Sequence, residues 1–170
     1  FARNKAAELG SALDSYEHGN ALDLSRFDKH SFDAVLLMGP LYHLLSADER
    51  MTSAREAHRV LRHAGPVFAS VITRFAALRD SAARYPEWAW ESPYVESYLA
   101  DGVIRLPAGS GFTDHYSAHP TEVTPFMERA GFRTRALIGV ECLVAGHDQA
   151  TNALGGAQFE RAEHDLPGRA

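Results

Sequence analysis

Cysteine is nearly missing from this sequence: Cys142 is the only one in 170 residues. One thiol excludes an internal disulfide framework and a zinc site built on clustered cysteines, and it suits a reducing, cytoplasmic compartment. Long apolar runs are missing too. None approaches the roughly 18 residues needed to span a bilayer, and no signal-peptide pattern opens the chain. Blocks of one charge sign are also absent. The 17 Lys and Arg are mixed with 22 Asp and Glu, for a formal charge of -5. Nothing is therefore available to neutralise a nucleic-acid backbone or to dock on anionic lipid. The expectation is a protein with no nucleic-acid partner, no membrane partner and no resident metal. There are no internal repeats. The opening Phe1, in place of Met, suggests a chain that begins inside a longer protein.

What is present is one domain's worth of chain with 45% hydrophobic residues, ordinary for a globular α/β protein. Residues 1–9 carry Ala2, Ala6 and Leu9 at helical spacing and stop at Gly10, as the tail of a helix does. A brief strand is expected at residues 15–18, followed by a loop. Residues 33–38 are apolar after Asp33 and short, the pattern of a strand covered on both faces in a parallel sheet. Ser46 and Glu49 then form an S-x-x-E capping box, with Asp48 adding negative charge, before a helix whose apolar positions are Met51, Ala54, Ala57, Val60 and Leu61. That helix is expected to stop at residues 63–65, and residues 66–74 read as the next strand. Strand, crossover helix and strand make one right-handed βαβ unit.

The pattern loosens over residues 75–111, an aromatic-rich insertion of broken helices. Trp88, Trp90, Tyr94 and Tyr98 there could line a pocket or pack the insertion onto the domain. A short helix over 121–130 is stopped by Gly131, and residues 132–146 supply a last strand. The segment 147–170 has few large apolar residues and reads as a disordered tail. The domain is therefore residues 1–146.

The first strand runs into Gly39 and Pro40, after which Tyr42 and His43 stand side by side. In an open parallel sheet, ligands sit beyond the carboxyl ends of strands, so residues 38–44 lie where a cofactor is expected. Gly39 allows close backbone approach and Pro40 fixes the exit direction. A buried tyrosine beside a capping histidine accounts for the same letters.

The stretches HGNALDL, FDAVLLMGPLYHLL, AREAHRVLRHAGPVFASVITRFA and GFTDHYSAHPTEVTPFMERAGFRTRALIGVE together resemble the class I S-adenosylmethionine-dependent methyltransferases, in particular a bacterial group acting on small molecules. The resemblance covers about residues 1–141. It implies a Rossmann-like sheet of seven strands, in the order 3-2-1-4-5-7-6, with flanking helices. It also implies S-adenosyl-L-methionine as cofactor and a small-molecule methyl acceptor as partner. Asn20 falls where the family often has an Asp that accepts from the adenine amino group, and its side-chain carbonyl can accept the same bond. Ala21 and Leu22 match residues packed on the adenine. Met38 matches the end of strand four, whose carbonyl meets the cofactor's amino group, while Gly39 and Tyr42 flank the methionine moiety. His43 and His119 are the candidate bases, since an imidazole titrating near ~6.5 accepts a proton at neutral pH. His119, placed before Pro120, also fits a helix cap.

The family's glycine-rich first turn and the acid of its second strand are absent. The first strands would precede Phe1, and a polar tail stands where the final strand should be. The implied domain is thus partial, with only strands four and five natural neighbours, and the chain alone is expected to hold cofactor poorly. A degenerate methyltransferase or a non-catalytic interaction module docking through residues 88–98 is the alternative. A nicotinamide oxidoreductase lacks its Gly-x-Gly-x-x-Gly turn, and a zinc site on Asp114, His115 and His119 is interrupted by Pro120.

Overall fold

Two short parallel strands joined by a helix form the centre of the chain. The computed structural model describes residues 2–11, 13–84, 94–105 and 113–140. Trp88, Trp90, Cys142 and the segment 147–170 lie outside them. Helix α1 (Ala2–Glu8) opens the chain as its spacing predicts. Strand β1 (Val35–Leu37) runs parallel to β2 (Val67–Ala69), with Val35 opposite Val67 and Leu37 opposite Ala69. Between them come the single turn α2 (Pro40–His43) and the long helix α3 (Ala47–Val60). The expected strand, crossover helix and parallel strand are all present.

Helix α3 starts where its capping signal lies: Ser46 Oγ accepts from Glu49 N at 3.5 Å. Asp48 and Glu49 occupy its first turn and His58 and Arg59 its last, each sign facing the helix-dipole end that it stabilises. Ala54, Ala57 and Val60 are buried along one side. The helix ends at Val60, with Leu61 as its C-cap, rather than at residues 63–65. Phe32 pairs in parallel with Leu61, and this bridge draws the backbone into extended conformation before the expected stop.

Beyond β2 come α4 (Arg74–Arg84), α5 (Tyr94–Asp101), an antiparallel pair of β3 (Val103–Ile104) and β4 (His115–Tyr116), and α6 (Pro120–Arg129). The segment after β4 is tied to the end of β2. Ala118 N donates to Ile72 O at 2.8 Å and Arg74 N to Ala118 O at 3.1 Å. Buried Leu37, Leu41, Ala57 and Met127 make the core, with Val35, Val67, Val71, Val123, Phe126 and Phe132 packed on them. Strand β1, helix α3 and helix α6 thus meet at one cluster.

Several expectations are corrected. Residues 15–18 form no strand. Tyr16 lies under Arg3 and Glu17 pairs with Arg26, while among the described residues no neighbouring strand offers them a ladder. The β1 and β2 pair is not covered on both faces: Leu37 is buried, yet Leu36 is 69% and Phe68 56% exposed, because the core cluster lies on Leu37's side only. Residues 132–140 are irregular, and Leu137, Ile138 and Val140 are exposed without a partner strand among the described residues. The described residues form two two-stranded sheets, consistent with the partial α/β domain that was expected. No helix of the described residues is long and apolar enough to cross a membrane.

Candidate functional site

The exit of β1 is a helical turn, not the loop expected from its Gly-Pro sequence. Gly39 caps α2 with φ 122°, a left-handed value that suits glycine. Pro40 occupies the first turn, where its missing N–H costs nothing. His43 N donates to Gly39 O at 3.0 Å and closes the turn. Three successive side chains then point to three environments: Leu41 is buried, Tyr42 half-buried and His43 exposed. The rings of Tyr42 and His43 lie 4.7 Å apart at 54°, and His43 Nδ1 is 3.1 Å from Thr113 Oγ1. A Cβ placed on Gly39 would meet only His43 Cδ2, at 3.8 Å, so bare backbone is open beside exposed Met38.

Asn20, Ala21 and Leu22 lie on a separate turn. Asn20 Oδ1 accepts from Leu22 N at 3.0 Å, and Asp23 Oδ1 accepts from Ser25 N at 2.9 Å. These are local side-chain turns of the kind that Asn and Asp favour. Helix α3 anchors the adjoining residues: Leu24 N donates to Glu56 Oε2 at 2.8 Å, while Arg59 donates to Leu24 O at 2.7 Å and to Phe27 O at 2.9 Å. The Arg59 hydrogen bond holds the Glu56 carboxyl below the usual carboxylate range against the opposing effect of burial.

A third group surrounds a cavity of about 390 Å3 between α2, α3, β4 and α6. Arg50, only 8% exposed, donates through Nη1 to Leu44 O at 2.9 Å and Leu45 O at 2.7 Å. Its guanidinium carbon lies 3.5 Å from the centre of the Tyr116 ring, a cation–π contact. Tyr116 donates its hydroxyl proton to Glu122 Oε2 at 2.7 Å, and Glu122 Oε1 accepts from Arg74 at 2.6 Å. Burial lowers the Arg50 pKa, partly offset by Tyr116 and Glu122. Burial also raises the Tyr116 pKa, and the bond to Glu122 adds to the rise. For Glu122, burial acts upward but is outweighed by the bonds from Tyr116 and His119 N and by the charge of Arg74, so its carboxyl titrates below the usual value.

His119 stands apart from His43, at the start of α6. Its Nδ1 lies 2.8 Å from Thr121 Oγ1 and accepts from Thr121 N at 3.4 Å, while Glu122 Oε2 accepts from His119 N at 3.1 Å. The ring packs edge-on to Phe75. Tyr98 is buried, and its hydroxyl donates to Arg74 O at 2.9 Å; it belongs to the interior and not to an exposed docking face. Among the described residues no three His, Cys, Asp or Glu side chains converge as a metal site. Arg50 was missed by the motif reading. Its spacing with Ala54, Ala57 and Leu61 on the buried side of α3 is the signal that could have found it.

Among known proteins, the family model described as a methyltransferase domain matches residues 1–69. No curated protein matches the chain. A solved structure from Thermotoga maritima, described as a SAM-dependent methyltransferase and possible histamine N-methyltransferase, is 18% identical. That alignment covers 77% of this chain and 50% of that one, with a TM-score of 0.46. The chain thus spans half the length of that structure. The residues matched by the methyltransferase-domain model take in α1, β1, α2, α3 and β2. S-adenosylmethionine is the cofactor that this family implies.

The exit of β1 fits such a cofactor, because the open backbone at Gly39 and the exposed Met38 leave room for close approach. The Asn20 side chain fits less directly. Its carbonyl is already engaged by Leu22 N, so an adenine amino group would have to share the remaining lone pair.

Proposed function

We propose that this protein transfers the methyl group of S-adenosylmethionine to a small-molecule acceptor. In this reading Met38, Gly39 and Tyr42 hold the methionine end of the cofactor, and Asn20, Ala21 and Leu22 the adenine. His43 faces the acceptor. The observation that carries the reading is that all seven residues fall within the 69 residues matched by the methyltransferase-domain model. Bound there, the cofactor supplies a methyl group on a sulfonium that is already a good leaving group, so alignment is the main demand on the protein.

Gly39 contributes by having no side chain where the cofactor must approach the backbone. Tyr42, held against His43, gives a half-buried wall that keeps water from one side. His43 accepts the acceptor's proton where the nucleophile carries one. In the tautomer that donates Nδ1–H to Thr113 Oγ1, the ring's lone pair is on Nε2. His119 is the second candidate base. Its Nδ1 is used in capping α6, which favours His43 for the proton and His119 for positioning.

Calorimetric titration with S-adenosylhomocysteine tests the proposal, since this product occupies the cofactor site without reacting. Weak but saturable binding that Tyr42→Ala weakens further is expected. A folded protein that gives no saturable heat, or equal binding by the Tyr42→Ala variant, would count against it.

A further inference from the structure

Helix α3 buries an arginine that contacts no carboxylate among the described residues. Arg50 is 8% exposed, and among the described residues no Asp or Glu lies within ion-pair distance of it. Its Nη1 serves two loop carbonyls and its plane rests on Tyr116. A buried cation is costly unless it is paired, and carbonyl dipoles with one aromatic face meet that need only in part. Arg50 lines the cavity beside α2. Its geometry points to an anion as the missing partner.

The rest of the wall agrees. Glu122 also lines the cavity, but its two oxygens already meet Arg74, the Tyr116 hydroxyl and His119 N. Its charge is therefore met directly by Arg74 outside the cavity, and it reaches Arg50 only through its field, without contact. Asp48 stands exposed at the first turn of α3, and Arg129 stands at the last turn of α6. With Glu122 paired to Arg74 and with Asp48 and Arg129 exposed to solvent, Arg50 is the buried charge on this wall that no carboxylate contacts among the described residues. Between these groups the wall is apolar, with Leu41, Met51, Val123 and Phe126. A cavity of about 390 Å3 lies within the range of roughly 300–1,000 Å3 common for small-molecule sites.

We propose that this cavity takes a small organic acid, its carboxylate on Arg50 and its apolar body against Leu41, Met51, Val123 and Phe126, and that such acids are the acceptor class of the enzyme. The assignment to the acceptor rests on the methyltransferase reading above. The site adjoins the proposed machinery through two elements. Leu41 shares the α2 turn with Tyr42 and His43, and Tyr116 comes three residues after the Thr113 that holds His43. The planar guanidinium matches a carboxylate by two parallel hydrogen bonds, whereas a neutral amide of the same shape offers one acceptor and no charge.

Ligand-observed NMR with benzoate, and with benzamide as its neutral twin, tests this on the whole protein without cofactor. Saturable benzoate binding, at least tenfold tighter than benzamide, is expected. Val123→Trp fills the cavity from α6 and should abolish binding in protein that circular dichroism shows to be folded. Arg50→Gln should abolish it in protein shown by the same measure to be folded. Equal binding of benzoate and benzamide, or benzoate binding unchanged in Val123→Trp, would overturn the proposal. Because no cofactor is present, failure here is separate from failure of the S-adenosylhomocysteine titration. Benzoate binding without any S-adenosylhomocysteine binding would remove the acceptor role, and the reverse would remove the anion site while leaving methyl transfer in place.

Discussion

Arg74 Nη2 donates to Glu122 Oε1 at 2.6 Å, joining the start of α4 to the first turn of α6 across 48 residues of sequence. Arg74 is 9% exposed in its side chain and Glu122 42%. The guanidinium also donates to Leu99 O at 2.7 Å, Ala100 O at 3.1 Å and Ser117 O at 3.3 Å. Removing it leaves several polar groups without their partner. Breaking a fully buried pair costs about 3–5 kcal/mol, and the exposure of Glu122 reduces that toward about 2–3 kcal/mol by solvent screening. Arg74→Met is expected to lower the urea midpoint accordingly. An unchanged midpoint would mean that α4 and α6 are not coupled through this side chain.

The same carboxylate gives the protein an acid-side pH dependence. Glu122 titrates below its usual 4.5 in the folded state. A depressed folded pKa stabilises fully above the unfolded value, and the contribution is lost as pH falls through the folded one. Unfolding curves should therefore show stability declining below about pH 4.5. Glu122→Gln, less stable at neutral pH, should have a shallower slope in that window. A variant with the parent's full slope would assign the dependence to other carboxyls.

Gly102 is a sharper structural test. Its φ is +75°, and a Cβ there would come within 2.1 Å of Ser117 O. Backbone hydrogen bonds fix it on both sides: its N donates to Tyr98 O, and its O accepts from Ser117 N, each at 2.7 Å. The chain has no room to move away. Gly102→Ala should destabilise by about 3 kcal/mol or more, combining left-handed strain with a clash against backbone. A thermal melt within a degree or two of the parent would show that this junction yields.

At Gly39 the expected outcome differs. A Cβ would clash with nothing, so Gly39→Ala should cost only about 1–2 kcal/mol of backbone strain. It should nevertheless reduce S-adenosylhomocysteine affinity by more than the lost stability accounts for, since the added methyl group stands where the cofactor would approach. Calorimetry on folded variant protein separates the two effects. Unaltered affinity would move the cofactor away from the exit of β1.

Much of the central unit was legible because its signals are local. Ser46, Glu49 and the spacing of Ala54, Ala57 and Val60 specify α3 with no help from distant residues, and Gly39-Pro40 marks the end of β1. The errors arose where tertiary partners decide. Residues 15–18 have strand-like letters, but no ladder is offered to them. The apolar letters of residues 33–38 suggested two covered faces, yet Leu36 is open while Leu37 is buried. Arg50, Tyr116, Glu122 and Arg74 come from four separate stretches and meet only through packing of α3, β4, α6 and α4, so no spacing in the sequence announces their meeting, although the helical spacing of Arg50 with Ala54, Ala57 and Leu61 marks it as buried. For His119, the helix-cap alternative was readable from His-Pro and is what its Nδ1 performs; for His43 a capping role was readable as well, and the structure puts it in the last turn of α2 with Nδ1 at Thr113.

His43 and His119 separate by readout. His43 is exposed and bonded to Thr113 on another segment, so His43→Ala should change stability by less than about 0.5 kcal/mol, as surface substitutions do. Loss of a general base lowers turnover by about 10²–10⁴-fold for an acceptor that must lose a proton. His119→Ala instead removes a helix cap, at a cost of about 1 kcal/mol. His119→Asn can restore the cap and should recover both stability and turnover. Turnover at one fixed pH gives the decisive comparison: His43→Ala should lose it while His119→Asn keeps it, and the opposite result would reverse the two roles.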